Sequence, residues 1–189
     1  MSVKRTLLLA GGVALAIAWN GQNCQCAERI HDHLIVVQGR RAAGHQDGRQ
    51  QQAESELRRR QHLSCAVLGE PPEGTKSYAL MMFDPEGRPP GGVSHWVAYG
   101  IPVSVTGFAE GEVSKQTDKY VGGKSLMGLP HYFGPCTPPG APHHYTFTLI
   151  ATDLEPTALQ PGMTRDELIK ALEGHAKGAT GIIGTFSKP

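Results

Sequence analysis

Through the last two thirds of the chain, apolar residues come in short runs or strict alternation, separated by Gly/Pro-rich turns. That is the pattern of strands rather than of helices. Ser77-Tyr78-Ala79-Leu80-Met81-Met82-Phe83 is almost continuously apolar and predicts a buried strand, closed by the turn Asp84-Pro85-Glu86-Gly87-Arg88-Pro89-Pro90. His95-Trp96-Val97-Ala98-Tyr99-Gly100-Ile101-Pro102 predicts a second strand that opens on an imidazole. Thr146-Phe147-Thr148-Leu149-Ile150 alternates with period two, and residues 179–186 supply a final strand. Trp96 and Phe83 are read as core, whereas Tyr120 and His131 fall in Gly-rich, weakly patterned sequence and are read as solvated loop.

One segment carries a helical signature. Thr164 is a candidate N-cap with Glu167 three residues later, a capping box worth about 1 kcal/mol. Leu168, Ile169, Leu172 and Ala176 then share a face. His175 is placed at the end of this helix, where the negative end of the dipole favours a cation. The fold class that emerges is mostly β with a short C-terminal α-helix.

The N-terminal third is different. Lys4 and Arg5 precede an apolar run from Thr6 to Leu15, and Ala16-Ile17-Ala18 offers small residues where a signal peptidase reads. Residues 1–18 are therefore expected to be a secretory signal and the protein periplasmic or secreted, an uncleaved membrane anchor being the less favoured alternative. Residues 19–66 are irregular: Gln46 to Arg60 is Gln- and Arg-rich, without strand alternation or turn punctuation. His31 and His33 flank Asp32 in a pattern that suits a metal but lack a third anchored ligand.

Composition narrows the function classes. With 189 residues, 39% apolar and 19% charged, the chain suits one globular domain. A net charge of +1 gives no long-range field for holding nucleic acid, which is excluded as a partner. Of four cysteines, Cys24 and Cys26 are too close to pair with each other, leaving a Cys65–Cys136 bridge or a buried inert Cys136.

Chemistry concentrates in three loops. Gly134-Pro135-Cys136-Thr137-Pro138-Pro139-Gly140 is a rigid lead-in to Pro142-His143-His144-Tyr145. Asp84 lies in the turn after the first strand, where its local role would be to hydrogen-bond backbone amides. His95 opens the second strand.

These residues, in this order, resemble the phosphatidylethanolamine-binding protein family, in particular its bacterial Raf-kinase-inhibitor-like branch. The family's D-P-D-x-P turn resembles Asp84-Pro85-Glu86, its G-x-x-H-W strand start resembles Gly92 to Trp96, and its G-P-C-P-P-P-G-x-P-H-R-Y resembles Gly134 to Tyr145. Gly162 to Arg165 and Glu173-Gly174-His175 match its closing helix. The likeness covers residues 67–189. It implies a Greek-key β-sandwich with an anion-accepting pocket formed by Asp84, Pro85, Glu86, His95, Pro138, His143 and Tyr145. Three positions depart from the family pattern. Glu86 stands for an aspartate and should push its carboxylate deeper or sideways; Gly87 stands for an alanine; and His144 stands for an arginine, removing a permanent charge and a bidentate fork.

The resemblance also bears on the irregular third. Residues 61–69 can be back-translated so that the frame one base later reads Asn-Ile-Ser-Ala-Ala-Leu-Ser-Trp, close to the family's N-x-S-P-x-L-x-W, and residues 43–47 yield Pro-Asp-Ile-Lys at the same offset. Two compensating frameshifts would explain both. Stop codons in the shifted frame of the gene would end the idea.

The function expected is a non-catalytic binding protein for a small anionic ligand, phosphate or a phosphorylated amine head group, with no cofactor and no resident metal. The alternatives are an inhibitor or regulator of a kinase or protease partner, and a metal-assisted hydrolase using Asp84, His95 and His143.

Overall fold

Antiparallel pairing organises the chain, of which the computed structural model describes residues 15–17, 66–68 and 71–187. Among the described residues the strands are β1 (Leu15–Ile17), β2 (Ala66–Leu68), β3 (Ser77–Asp84), β4 (Val93–Pro102), β5 (Gly107–Phe108), β6 (Val121–Gly122), β7 (His143–Thr152) and β8 (Ala176–Phe186), with one α-helix, α1 (Arg165–Ala171), before β8. Five of them form a sheet in the order β6-β4-β3-β7-β8, and three form a smaller ladder, β1-β2-β5. The protein is mostly β.

β3 is continuously apolar because it is covered on both faces. Tyr78, Leu80 and Met82 join Trp96, Tyr145, Phe147 and Leu149 in one core, to which Leu68 of β2 and Phe108 of β5 also belong. Ala79 and Met81 face the other way, with Val97, Tyr99 and the α1-side residues Leu168 and Leu172. Burial of each large side chain contributes about 1.5–3 kcal/mol, so the central pair β3–β4, carrying most of them, anchors the site.

Several expectations change. Tyr120 is not in solvated loop: it is 7% exposed and packs edge-on against Trp96 at 5.6 Å and Phe108 at 5.9 Å. Trp96 is fully buried as expected. Phe83 is only partly buried, on the helix side, with the Arg165 guanidinium 4.3 Å above its ring. The capping box is present: Thr164 Oγ1 accepts from the Glu167 amide at 3.3 Å, and Glu167 Oε2 accepts from the Thr164 amide at 2.8 Å. The helix is shorter than its apolar pattern, however. Ile169 is 37% exposed, Ala176 is an exposed residue of β8, and His175 sits in the connecting turn, paired with Asp153 at 2.8 Å.

Cys136 is exposed and carries a free thiol, so it is neither buried nor bridged. Cys24, Cys26, Cys65, the His31–His33 pattern and the passages read as frame-shifted lie outside the described residues. The expected signal segment does so too except for Leu15–Ile17, which pairs antiparallel with β2. No helix among the described residues is long and apolar enough to cross a membrane.

Candidate functional site

Register creates the site. β3 and β7 pair up to Phe83 opposite Thr146, so the next residue of β3, Asp84, arrives beside the first residues of β7. Asp84 is 2% exposed. Its Oδ1 accepts from the backbone amides of Glu86 and Gly87, both at 3.0 Å, which is the local turn role predicted for it. Its Oδ2 accepts from His143 Nδ1 at 2.8 Å. The turn role and the site role are therefore carried by different oxygens of one carboxylate. Because that carboxylate only accepts, Nδ1 of His143 holds the hydrogen and Nε2 is left as the reactive edge. The His143 side chain remains 20% exposed, against 3% for Asp84.

His95 lies beneath, 1% exposed. Its Nδ1 donates between the carbonyls of Phe133 at 3.2 Å and Gly134 at 3.1 Å, leaving the Nε2 lone pair to accept. Burial pushes its pKa down, opposed in part by the two carbonyls and by the Asp84 charge. Tyr145 packs edge-on against the His95 ring at 5.2 Å. Its hydroxyl is sealed from solvent and forms no well-aligned hydrogen bond, with the Asp84 carboxylate and the Cys136 backbone as its polar neighbours, and burial, reinforced by Asp84, raises its pKa.

The two departures from the family pattern meet each other. Glu86 goes sideways, as one of its two expected courses had it: its Oε1 accepts from His144 Nδ1 at 2.6 Å and its Oε2 from the His144 backbone amide at 2.9 Å. The hydrogen bond from His144 holds the Glu86 carboxyl below its usual range. The third departure also has a cause. A Cβ at Gly87 would lie 2.8 Å from Val93 Cγ2 and 3.1 Å from Asp84 Oδ2. Pro85 and Pro138 are exposed and frame the two turns; Thr137 Oγ1 donates to the Pro138 carbonyl at 2.7 Å.

Asp84, His95, His143 and Tyr145 are thus brought together as expected, with Glu86 beside them. Sequence reasoning missed Phe133 and Gly134 as the fixers of His95; the Gly-Pro turn starting at Gly134 was the only available signal. The trio considered for a metal, Asp84, His95 and His143, is replaced by Asp84, Glu86 and His143, whose donor atoms lie within 4.8 Å of one another. Surface clefts of about 310 Å³ beside Arg88 and Arg165 and about 520 Å³ beside Asp118 and Pro130 lie elsewhere, and no residue of this cluster lines either.

Comparison with known proteins supports the resemblance. The phosphatidylethanolamine-binding protein family pattern matches residues 66–187. A UPF0098 protein of Methanothermobacter thermautotrophicus is 35% identical over 119 residues, covering 62% of this chain and 77% of its own. One from Pyrococcus horikoshii is 37% identical over 122 residues, 61% of this chain and 60% of its own. Among solved structures, Chlamydia trachomatis CT736, described as a putative phosphatidylethanolamine-binding protein homolog, superposes with a TM-score of 0.58 at 30% identity, covering 66% of this chain and 80% of its own. Escherichia coli YbcL, described as a member of the mammalian PEBP family, superposes with a TM-score of 0.61 at 24% identity, covering 68% and 82%, a likeness of fold.

Proposed function

The chain belongs to the phosphatidylethanolamine-binding protein family, and from that premise we propose that it is a non-catalytic binding protein whose Asp84–His143 cluster accepts a small anionic group of the phosphate type. The same reading takes its two sheets as halves of a Greek-key β-sandwich. The observation that carries the function is the 2.8 Å contact between a buried carboxylate and a partly exposed imidazole. Asp84 fixes the tautomer of His143 and leaves Nε2 to meet the anion, as acceptor from a phosphate hydroxyl when the ring is neutral and as donor when it carries a second proton. The Tyr145 hydroxyl is the neutral donor next to it.

Each charge-assisted hydrogen bond contributes on the order of 1.5–3 kcal/mol, which supports micromolar to millimolar affinity. Calorimetric titration of the metal-free protein with inorganic phosphate tests this. Asp84→Ala and His143→Ala each abolish binding; unchanged affinity in both folded variants refutes the assignment.

A further inference from the structure

The cluster has a charge problem that imidazoles alone solve poorly. Asp84 and Glu86 bring two carboxylates, and the ion pairs found for them among the described residues are to histidines rather than to Lys or Arg. An oxyanion arriving at neutral pH meets like charge unless a fixed cation lies between.

The donors for such a cation are already assembled. Asp84, Glu86 and His143 each offer one ligand atom, all within 4.8 Å of one another. Asp84 Oδ2 and His143 Nδ1 are 2.8 Å apart, so the pair has only to open by about half an ångström or slightly more to reach the roughly 3.3–3.6 Å edge of a tetrahedral site on bonds of about 2.0–2.2 Å. Glu86 is held by two hydrogen bonds from His144, the kind of outer partner that orients a ligating carboxylate. A further feature points the same way: the Tyr145 side chain, in a residue 2% exposed, holds its hydroxyl against the Asp84 carboxylate without a well-aligned hydrogen bond, where a metal-bound water or anion would satisfy it.

We propose that Asp84, Glu86 and His143 form a site for a divalent transition cation of the Zn²⁺ kind, whose remaining coordination positions take the anion. The mixture of one imidazole and two carboxylates suits such a cation better than a thiol-seeking one. On binding, the Nδ1 proton of His143 passes to solvent and the Asp84–His143 hydrogen bond gives way to two metal–ligand bonds. The inference rests on the reading that this cluster is the binding site and adds what makes it positive.

The test uses the full chain, stripped with EDTA and dialysed, titrated calorimetrically with Zn²⁺ and then with inorganic phosphate. One Zn²⁺ equivalent is lost or weakened at least 10-fold in Glu86→Gln and in His143→Gln, and unchanged in His175→Gln. The difference from wild type is the readout, since His31, His33, Cys24 and Cys26 lie outside the described residues and offer donors of their own. Glu86 is 40% exposed at its side chain, so Glu86→Gln folds, and an unchanged thermal transition verifies it. Zn²⁺ uptake equal in wild type and both variants, or no uptake at all, overturns the metal site. Phosphate binding that then persists in metal-free wild type leaves the anion pocket standing, whereas phosphate binding absent both with and without Zn²⁺ removes the pocket as well.

Discussion

His143 and His144 are consecutive residues of one strand, and each reaches a carboxylate of the same turn, yet the two pairs differ in kind. The side chains of Asp84 and His143 are 3% and 20% exposed; those of Glu86 and His144 are 40% and 55% exposed. Near the surface a charge pair is screened by water and salt and contributes little. Under cover the same chemistry acts in a lower dielectric, and breaking one partner leaves an uncompensated group. The inner pair is therefore tied to fold and binding together. The outer pair orients Glu86 at the rim.

The sharpest way to break this contrast is Asp84→Ala. It removes the partner of His143 and the acceptor of two backbone amides, so stability falls by about 3 kcal/mol in urea unfolding. Less drastic is acidification. Burial sets the folded pKa of His95 below the ordinary imidazole value of 6.5. Between those two values the unfolded chain binds more protons than the native one, so stability is full above about pH 6.5 and declines as pH falls through that window. Thermal unfolding between pH 7 and 5 shows the slope, and His95→Gln removes it. Glu86, with its pKa lowered by His144, contributes stability only at pH values where it is ionised, and loses it as pH falls below 4.5, which separates the outer pair from the buried His95 beneath the inner one.

Gly87→Ala restores the residue usual in the family, but its methyl group crowds Val93 and Asp84 Oδ2; phosphate affinity falls several-fold while the fold stays intact. Least disruptive is His144→Arg, which gives Glu86 a permanent cation and a fork. Phosphate binding then tightens modestly, as a calorimetric titration shows, with the unfolding midpoint unmoved.

The four long strands were legible because apolar runs, period-two alternation and turn chemistry are local properties, and the capping box at Thr164 was legible for the same reason. Tyr120 was not. Its neighbours in sequence are weakly patterned, and its burial comes from Trp96 and Phe108, which other segments deliver. Nor could the course of Glu86 be read, because its partner His144 is 58 residues away. The sideways swing depends on the register of β3 against β7.

By itself the sequence determined the residue types, their order in three loops, and hence the family and the candidate members Asp84, His95, His143 and Tyr145. Only the tertiary structure decided which oxygen of Asp84 meets which nitrogen, that His95 is clamped by the Phe133 and Gly134 carbonyls, and that Glu86 and His144 answer each other. The physical reason is that alternation and turns act over a few residues, whereas a hydrogen bond across strands depends on register, and register is fixed by how whole faces bury.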